Sequence, residues 1–334
     1  MHRRPFGYVN QNEAVRPRLI VSAGDPAGIG PEITVRALAD PSVAALGDIA
    51  VAGDPAQLRK LAEQFGVPDP HVEPAGDASE VQPGELSAAG GRAAVAAIRH
   101  AVELIQAGRY DALVTGPINK EALRMAGFPW PGHTEMLAEL AGAGDVRMLL
   151  LSGKLRVVHV TTHRSLRSAI EAATRDRVLR TIELAAAAGH LLGAERPRVA
   201  VAGLNPHAGE GGLFGDEEVR EIGPAVDAAR RAGIDASGPW PPDTVFWRAA
   251  TGAYDVVVAM YHDQGHIPVK LSGFEDGVNV TLGLPFPRSS VDHGTAFDIA
   301  GKGQAQWTSM LAALRVAAQM ARTAVARGAT GGAQ

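Results

Sequence analysis

The chain has 334 residues, 46% of them hydrophobic, which suits two cores of ordinary size better than one small one. With 32 lysines and arginines against 36 acids the net charge is −4, so no basic field argues for nucleic acid or an anionic membrane, and an anionic ligand must be held by a few local groups. The absence of cysteine excludes disulfides, thiolate metal sites and a cysteine nucleophile, and it fits a reducing cytoplasm.

Residues 1 to about 16 carry Arg3, Arg4 and Pro5 but no apolar stretch, so they are expected to form a loose tail and not a secretory signal. Arg18 to Ala23 reads as a first strand. A glycine-rich turn follows, and a helix opens at Pro31, since proline suits a helix's first position. Residues 48–52 read as a strand and 55–65 as a helix. Residues 67–86, rich in Pro, Gly and acid, read as a loop, and 88–106 as a long Ala-rich helix that packs in a core. Strands are expected at 112–115, 148–151, 157–161, 199–202, 256–260 and 278–282, and long helices at 174–193, 216–232 and 304–327. No apolar run approaches the roughly 18 residues of a membrane span. This alternation predicts an α/β fold with largely parallel strands, and no flexible tether marks a domain boundary.

Three apolar runs each deliver a histidine: Arg156 to His163, Val199 to His207 and Asp255 to His262. Ligands of α/β proteins bind at the carboxyl ends of strands. His163, His207 and His262 converging there would make a three-nitrogen metal site with an open position. The turn Gly24-Asp-Pro-Ala-Gly-Ile-Gly-Pro-Glu32 has neither dinucleotide-fold nor P-loop glycine spacing. His133 and Thr134 precede a predicted helix, where they can donate to an oxyanion. Lys270, Asn279 and Arg288 recur at spacings of nine among apolar, glycine-rich segments, and Lys and Arg both bind phosphate. His266 is expected behind the metal ligands or in solvent. Asp243 and Asp263 are the candidate acid/base or ligand-orienting groups. Taken alone, three histidines also allow a metallohydrolase, and a phosphorylated-acid binding protein is a third reading.

These segments resemble the 4-hydroxythreonine-4-phosphate dehydrogenase family of vitamin B6 synthesis. The likeness rests on GDPAGIGPE (24–32), GHTE (132–135), TTH (161–163), NPHAGEGG (205–212), DT (243–244), YHDQG (261–265), GVNVTLGLP (277–285) and VDHGTAFDIAGKG (291–303). The last is also similar to the nucleotide-side loop of isocitrate and isopropylmalate dehydrogenases. The resemblance implies their fold, with two α/β/α domains: 1–127 joined to 272–334 on the nucleotide side, and 128–271 on the metal and substrate side. It implies one divalent ion (Zn, Co, Mg, Mn or Ni) on His163, His207 and His262. It implies substrate contacts at His133, Thr134, Lys270, Asn279 and Arg288, and a cytoplasmic homodimer whose active sites draw on both subunits. NAD or NADP is expected near Gly294, Thr295 and Asp298, away from the first glycine turn. The implied activity is oxidation of the C3 hydroxyl of a 4-phosphorylated four-carbon acid, then decarboxylation of the β-keto acid. The substrate first expected is 4-phosphooxy-L-threonine, with 4-phospho-D-threonate or 4-phospho-D-erythronate as the alternative.

Overall fold

The structure is a computed structural model that describes residues 16–273 and 277–331, so the expected N-terminal tail lies, but for its last residue, outside the described residues. The first part of the chain forms β1 (Arg18–Ser22), α1 (Gly30–Leu38), β2 (Asp48–Gly53), α2 (Pro55–Phe65), β3 (Val72–Pro74), α3 (Ala88–Gln106), β4 (Ala112–Thr115), α4 (Lys120–Met125) and α5 (His133–Leu140). The middle forms β5 (Arg147–Ser152), β6 (Leu155–His159), α6 (Leu166–Ala172), α7 (Arg175–Leu191), β7 (Val199–Ala202), α8 (Gly223–Arg231), β8 (Ala236–Trp240), α9 (Pro242–Ala250), β9 (Val256–Ala259) and α10 (His262–Ser272). The last part adds β10 (Val278–Leu282), β11 (Arg288–Val291) and α11 (Thr308–Gly331). Helix starts follow local chemistry. The Asp54 carboxylate accepts from the amides of Ala56 and Gln57 at α2, and Asn119 accepts from Glu121 and Ala122 at α4.

The strands form one sheet in the order β3-β2-β1-β4-β11-β10-β5-β6-β9-β7-β8. Parallel pairing prevails, as the alternation predicts. The exceptions sit at the centre, where β10 is antiparallel to β11 and β5, and β5 is antiparallel to β6. Strands from the two ends of the chain fill one side of the sheet, and strands from its middle fill the other.

The two faces of the sheet differ. Alternate residues such as Leu19, Val114, Leu149, Val158 and Val258 point to one face, where they join α1, α2, α7, α8 and α11 in a single continuous core. The other face has two separate cores. One holds Ile20 and Leu113 against α3, α4 and α5; the other holds Leu150 and Val157 against α9 and α10. Between them β11, β10 and β5 present Arg288, Asn279, Thr281 and Met148, in register with Leu113, Ser290 and Leu150. A valine or leucine at 288 would contribute about 1.5–3 kcal/mol of burial. A guanidinium stands there instead, so the apolar layer is interrupted and a cleft opens over the sheet centre.

Three expectations change in detail, the first being that the segment read as a loop over 67–86 contains β3. The helix predicted over 216–232 is a π-turn, Glu218–Ile222, followed by α8, because Pro224 has no N–H to carry a continuous ladder across the junction. Helix α10 was not anticipated, since Gly265 and Pro268 both argue against it. Its glycine is needed for packing: a Cβ at 265 would lie 2.4 Å from Nε2 of His159.

Candidate functional site

The cleft holds a cavity of about 730 Å³ bounded from both halves of the sheet. Arg288 forms its floor and is 2% exposed. The guanidinium donates to the Thr281 hydroxyl at 2.9 Å and the Thr115 hydroxyl at 2.5 Å, and its Nε has no partner among the described residues. Among the described residues no carboxylate pairs with it, and burial pushes its pKa down to about 9. A buried, uncompensated cation is costly unless an anion enters beside it.

Other unmet polar atoms face the same space. His133 begins α5, and Thr134 follows it on the cavity wall. Burial and the nearby Arg288 charge hold the His133 imidazole well below its ordinary pKa, hence neutral, and among the described residues its Nε2 has no partner. The buried Oδ1 of Asn279 is also unmatched. Lys270 lies at the rim, 3.1 Å from Asp292, which lines the cavity. These atoms ask for an anion with hydrogen-bonding substituents.

The histidines stand beside this floor. His163 follows β6 in a left-handed conformation, φ 52°, and His262 opens α10. Their ring centroids are 5.7 Å apart. Nδ1 of His262 lies 2.6 Å from Oδ1 of Asp263, which leaves Nε2 free as a donor to a metal, the arrangement in which a carboxylate orients a ligating imidazole. His266 stacks on His262 at 3.5 Å, its Nδ1 2.9 Å from the His262 carbonyl oxygen. It lines the cavity and is 8% exposed, so it is not a solvent group. Behind it His159 is buried, and burial, then the neighbouring imidazoles, pushes its pKa down to about 3. Burial also lowers His163 and His266, so these rings stay neutral, the form that binds metal.

His207 is not part of this group within one chain. It is exposed, and its ring lies 6.2 Å from that of Phe214. The loop winds through five residues of positive φ, from His207 to Gly211. Glu218 anchors its start by accepting from the amides of Leu204 and Asn205, each at 2.7 Å. Strand β9 also separates β7 from β6. Among the described residues of a single chain, no three His, Asp or Glu side chains are grouped to hold a metal. Asp243 likewise lies elsewhere. It lines a second cavity between α9 and α10, where Trp247, Ile267 and Leu271 are 70%, 58% and 83% exposed.

In the third segment Gly294 reaches the cavity, Thr295 is buried, and Asp298 is exposed on a short 3₁₀ turn. The first glycine turn backs this loop. Ile29 donates to the Thr295 carbonyl at 2.9 Å, and a Cβ on Gly28 would meet Thr295 at 2.8 Å. The amide of Ala27 donates to Oδ1 of Asp25, and that of Gly28 to the Asp25 carbonyl. These amides are therefore spent inside the protein and do not face an anion.

Several cavity residues escaped the sequence reading: Lys120, Glu135, Arg164, Arg177 and Asp292. The signal for Lys120 was Asn119, a cap that starts a helix at that point and turns it toward the cleft.

Residues 36–317 match the family described as pyridoxal phosphate biosynthetic protein PdxA. A D-threonate 4-phosphate dehydrogenase of Pectobacterium atrosepticum is 46% identical over 91% of this chain and 99% of its own. A 4-hydroxythreonine-4-phosphate dehydrogenase of Geobacter metallireducens is 47% identical over 94% of this chain and 98% of its own. The crystal structure of a 4-hydroxythreonine-4-phosphate dehydrogenase from Klebsiella pneumoniae superposes with a TM-score of 0.84 at 45% identity, covering 93% of this chain and all of that one.

Proposed function

This chain belongs to the PdxA family of dehydrogenases, and from that premise we propose that it oxidises the C3 hydroxyl of a 4-phosphorylated four-carbon acid with NAD or NADP and then decarboxylates the β-keto acid. The observation that carries this reading is a buried Arg288, with no carboxylate partner among the described residues, in one cavity with His163, whose ring lies 5.7 Å from that of His262. Arg288, with His133, Thr134 and Asn279, binds one anionic end of the substrate; Lys270 completes the rim. The carbinol then lies toward His163 and His262. The nicotinamide enters along Gly294 and Thr295, with Asp298 outside. 4-Phosphooxy-L-threonine is the first candidate. The D-threonate name of the Pectobacterium relative favours the hydroxylated acid as a second reading. Relatives named as dehydrogenases weigh against the metallohydrolase and the binding protein.

The donor set fits a divalent ion. Two imidazoles, those of His163 and His262, lie 5.7 Å apart, and the second is oriented by Asp263. Such an ion supplies Lewis acidity to the carbinol oxygen and to the ketone. The third ligand comes from a second copy: His207 reaches the partner's site in a homodimer that covers the exposed Trp247, Ile267 and Leu271, and Asp243 orients a ligand across the same interface. The domains are 1–127 with 272–334, and 128–271, although α5 packs against α3 and α4 on the side of the first, in a cytoplasmic enzyme; among the described residues no helix is long and apolar enough to cross a membrane.

The test is reduction of nicotinamide by the metal-loaded protein with phosphorylated and unphosphorylated threonine and threonate. Turnover is expected only with the phosphorylated acids. Lys270→Met should raise KM for them about 10- to 100-fold, the worth of a charge-assisted hydrogen bond. Equal turnover of an unphosphorylated acid by the unaltered protein contradicts the anion site.

A further inference from the structure

Oxidation of a C3 carbinol frees one proton from oxygen, and loss of carbon dioxide from the keto acid consumes one at C2. The net conversion of carboxylate and oxidised nicotinamide to ketone, carbon dioxide and reduced nicotinamide releases none. One side chain that takes the first proton and returns it therefore serves both steps. Most candidates in the cleft are already committed. Asp263 is held on His262 at 2.6 Å, Asp292 on Lys270 at 3.1 Å, and Asp243 opens on the other cavity. His133 is half-buried, and desolvation, then the Arg288 charge, opposes its charging.

Two groups face His163 from the opposite wall of the cleft, Lys120 and Glu135. Both line the cavity, and both act electrostatically on His163, with opposite signs. Glu135 sits in the first turn of α5, at the positive end of the helix. Lys120 opens α4, whose start Asn119 fixes through the amides of Glu121 and Ala122. Its stem runs past Gly132, where a Cβ would lie 3.9 Å from Lys120 Cε. Among the described residues no hydrogen bond or ion pair ends on its amine.

We propose that Lys120 is the catalytic acid/base, carrying the proton from the C3 oxygen to C2; this rests on the reaction proposed above. In its neutral form the amine takes the hydroxyl proton while the C3–H electron pair leaves with its hydrogen for the nicotinamide, and the C3–O bond becomes double. The C1–C2 bond then breaks, carbon dioxide departs, and the electron pair left at C2 takes the proton back from Lys120. The amine ends as it began.

The chain has no cysteine, so Lys120→Cys carries its only thiol. Lys120→Cys is expected to lose about 10²- to 10⁴-fold in kcat, the worth of a positioned proton-transfer group, with KM changed little. Aminoethylation of that thiol, which rebuilds a lysine-like amine, should restore most of kcat; capping it with a neutral amide should not. Glu135→Gln should keep kcat within about tenfold of the unaltered protein. Three results overturn the role: unchanged kcat in Lys120→Cys, a rise in KM alone, or an aminoethylated protein that binds substrate normally and stays inactive. An unaltered protein that reduces no nicotinamide instead refutes the reaction, and the two failures are thus told apart.

Discussion

His262→Ala is expected to lose its divalent cation and to lower kcat by about 10³-fold or more, since Lewis-acid stabilisation is worth several kcal/mol and each 1.36 kcal/mol is tenfold in rate. The half-buried ring sits at the first position of α10 and packs in none of the three apolar cores, so the denaturant midpoint should barely move. His163→Ala and His207→Ala should do the same, although His207 lies away from the pair within its own chain. This difference gives a sharper observation. Homodimers of His207→Ala and of His262→Ala are each inactive, yet a mixture should regain activity, because a hybrid dimer has one site with both losses and one with neither. With random exchange about a quarter of all sites are intact. A mixture as dead as its parents, with subunit exchange verified, would remove His207 from the partner's site. Full metal content in any two of the three single variants would remove the triad.

The second large effect is expected at Arg288. Arg288→Met should lower kcat/KM by about 10²- to 10³-fold, the cost of truncating one side of a buried charge pair. Without ligand the variant should be as stable as the parent or about 1–2 kcal/mol more so, since a buried charge without a counter-ion is replaced by an apolar chain of similar length. The hydroxyls of Thr115 and Thr281 lose a donor, which offsets part of that gain. Inorganic phosphate should raise the midpoint of the parent and leave that of the variant unchanged. Urea titrations with and without phosphate read both effects. A variant that is clearly less stable, or that phosphate still protects, contradicts the anion site.

Eight of the eleven described strands were legible because their residues alternate or run apolar, while β3, β8 and β11 were not, and Arg288 stood out only as a cation among apolar, glycine-rich segments. His163 and His262 were legible for a related reason, since each follows an apolar run that the sheet buries. Strand order was not legible. Nothing local in residues 278–282 says that they insert between β11 and β5, and that insertion is what brings Asn279 beside Ser290 and Leu150. The split of one face into two cores is likewise a property of the assembled sheet. Helix α10 was hidden because Gly265 and Pro268 lower its local propensity, and packing against His159 overrides them. His207 shows the limit most plainly. Like the other two it follows a strand, five residues after β7 where His163 and His262 follow theirs by four and three, but the intervening β9 and the Glu218 anchor carry its loop elsewhere.

The most direct test of the account is a count of two products in one vessel. Metal-loaded protein is given oxidised nicotinamide and a 4-phosphorylated threonine or threonate labelled in its carboxyl group. Reduced nicotinamide and labelled carbon dioxide should appear in equal amounts at every time point, because the keto acid forms and decarboxylates in the same cleft. Reduced nicotinamide that outruns carbon dioxide, with a keto acid building up in solution, would contradict that claim.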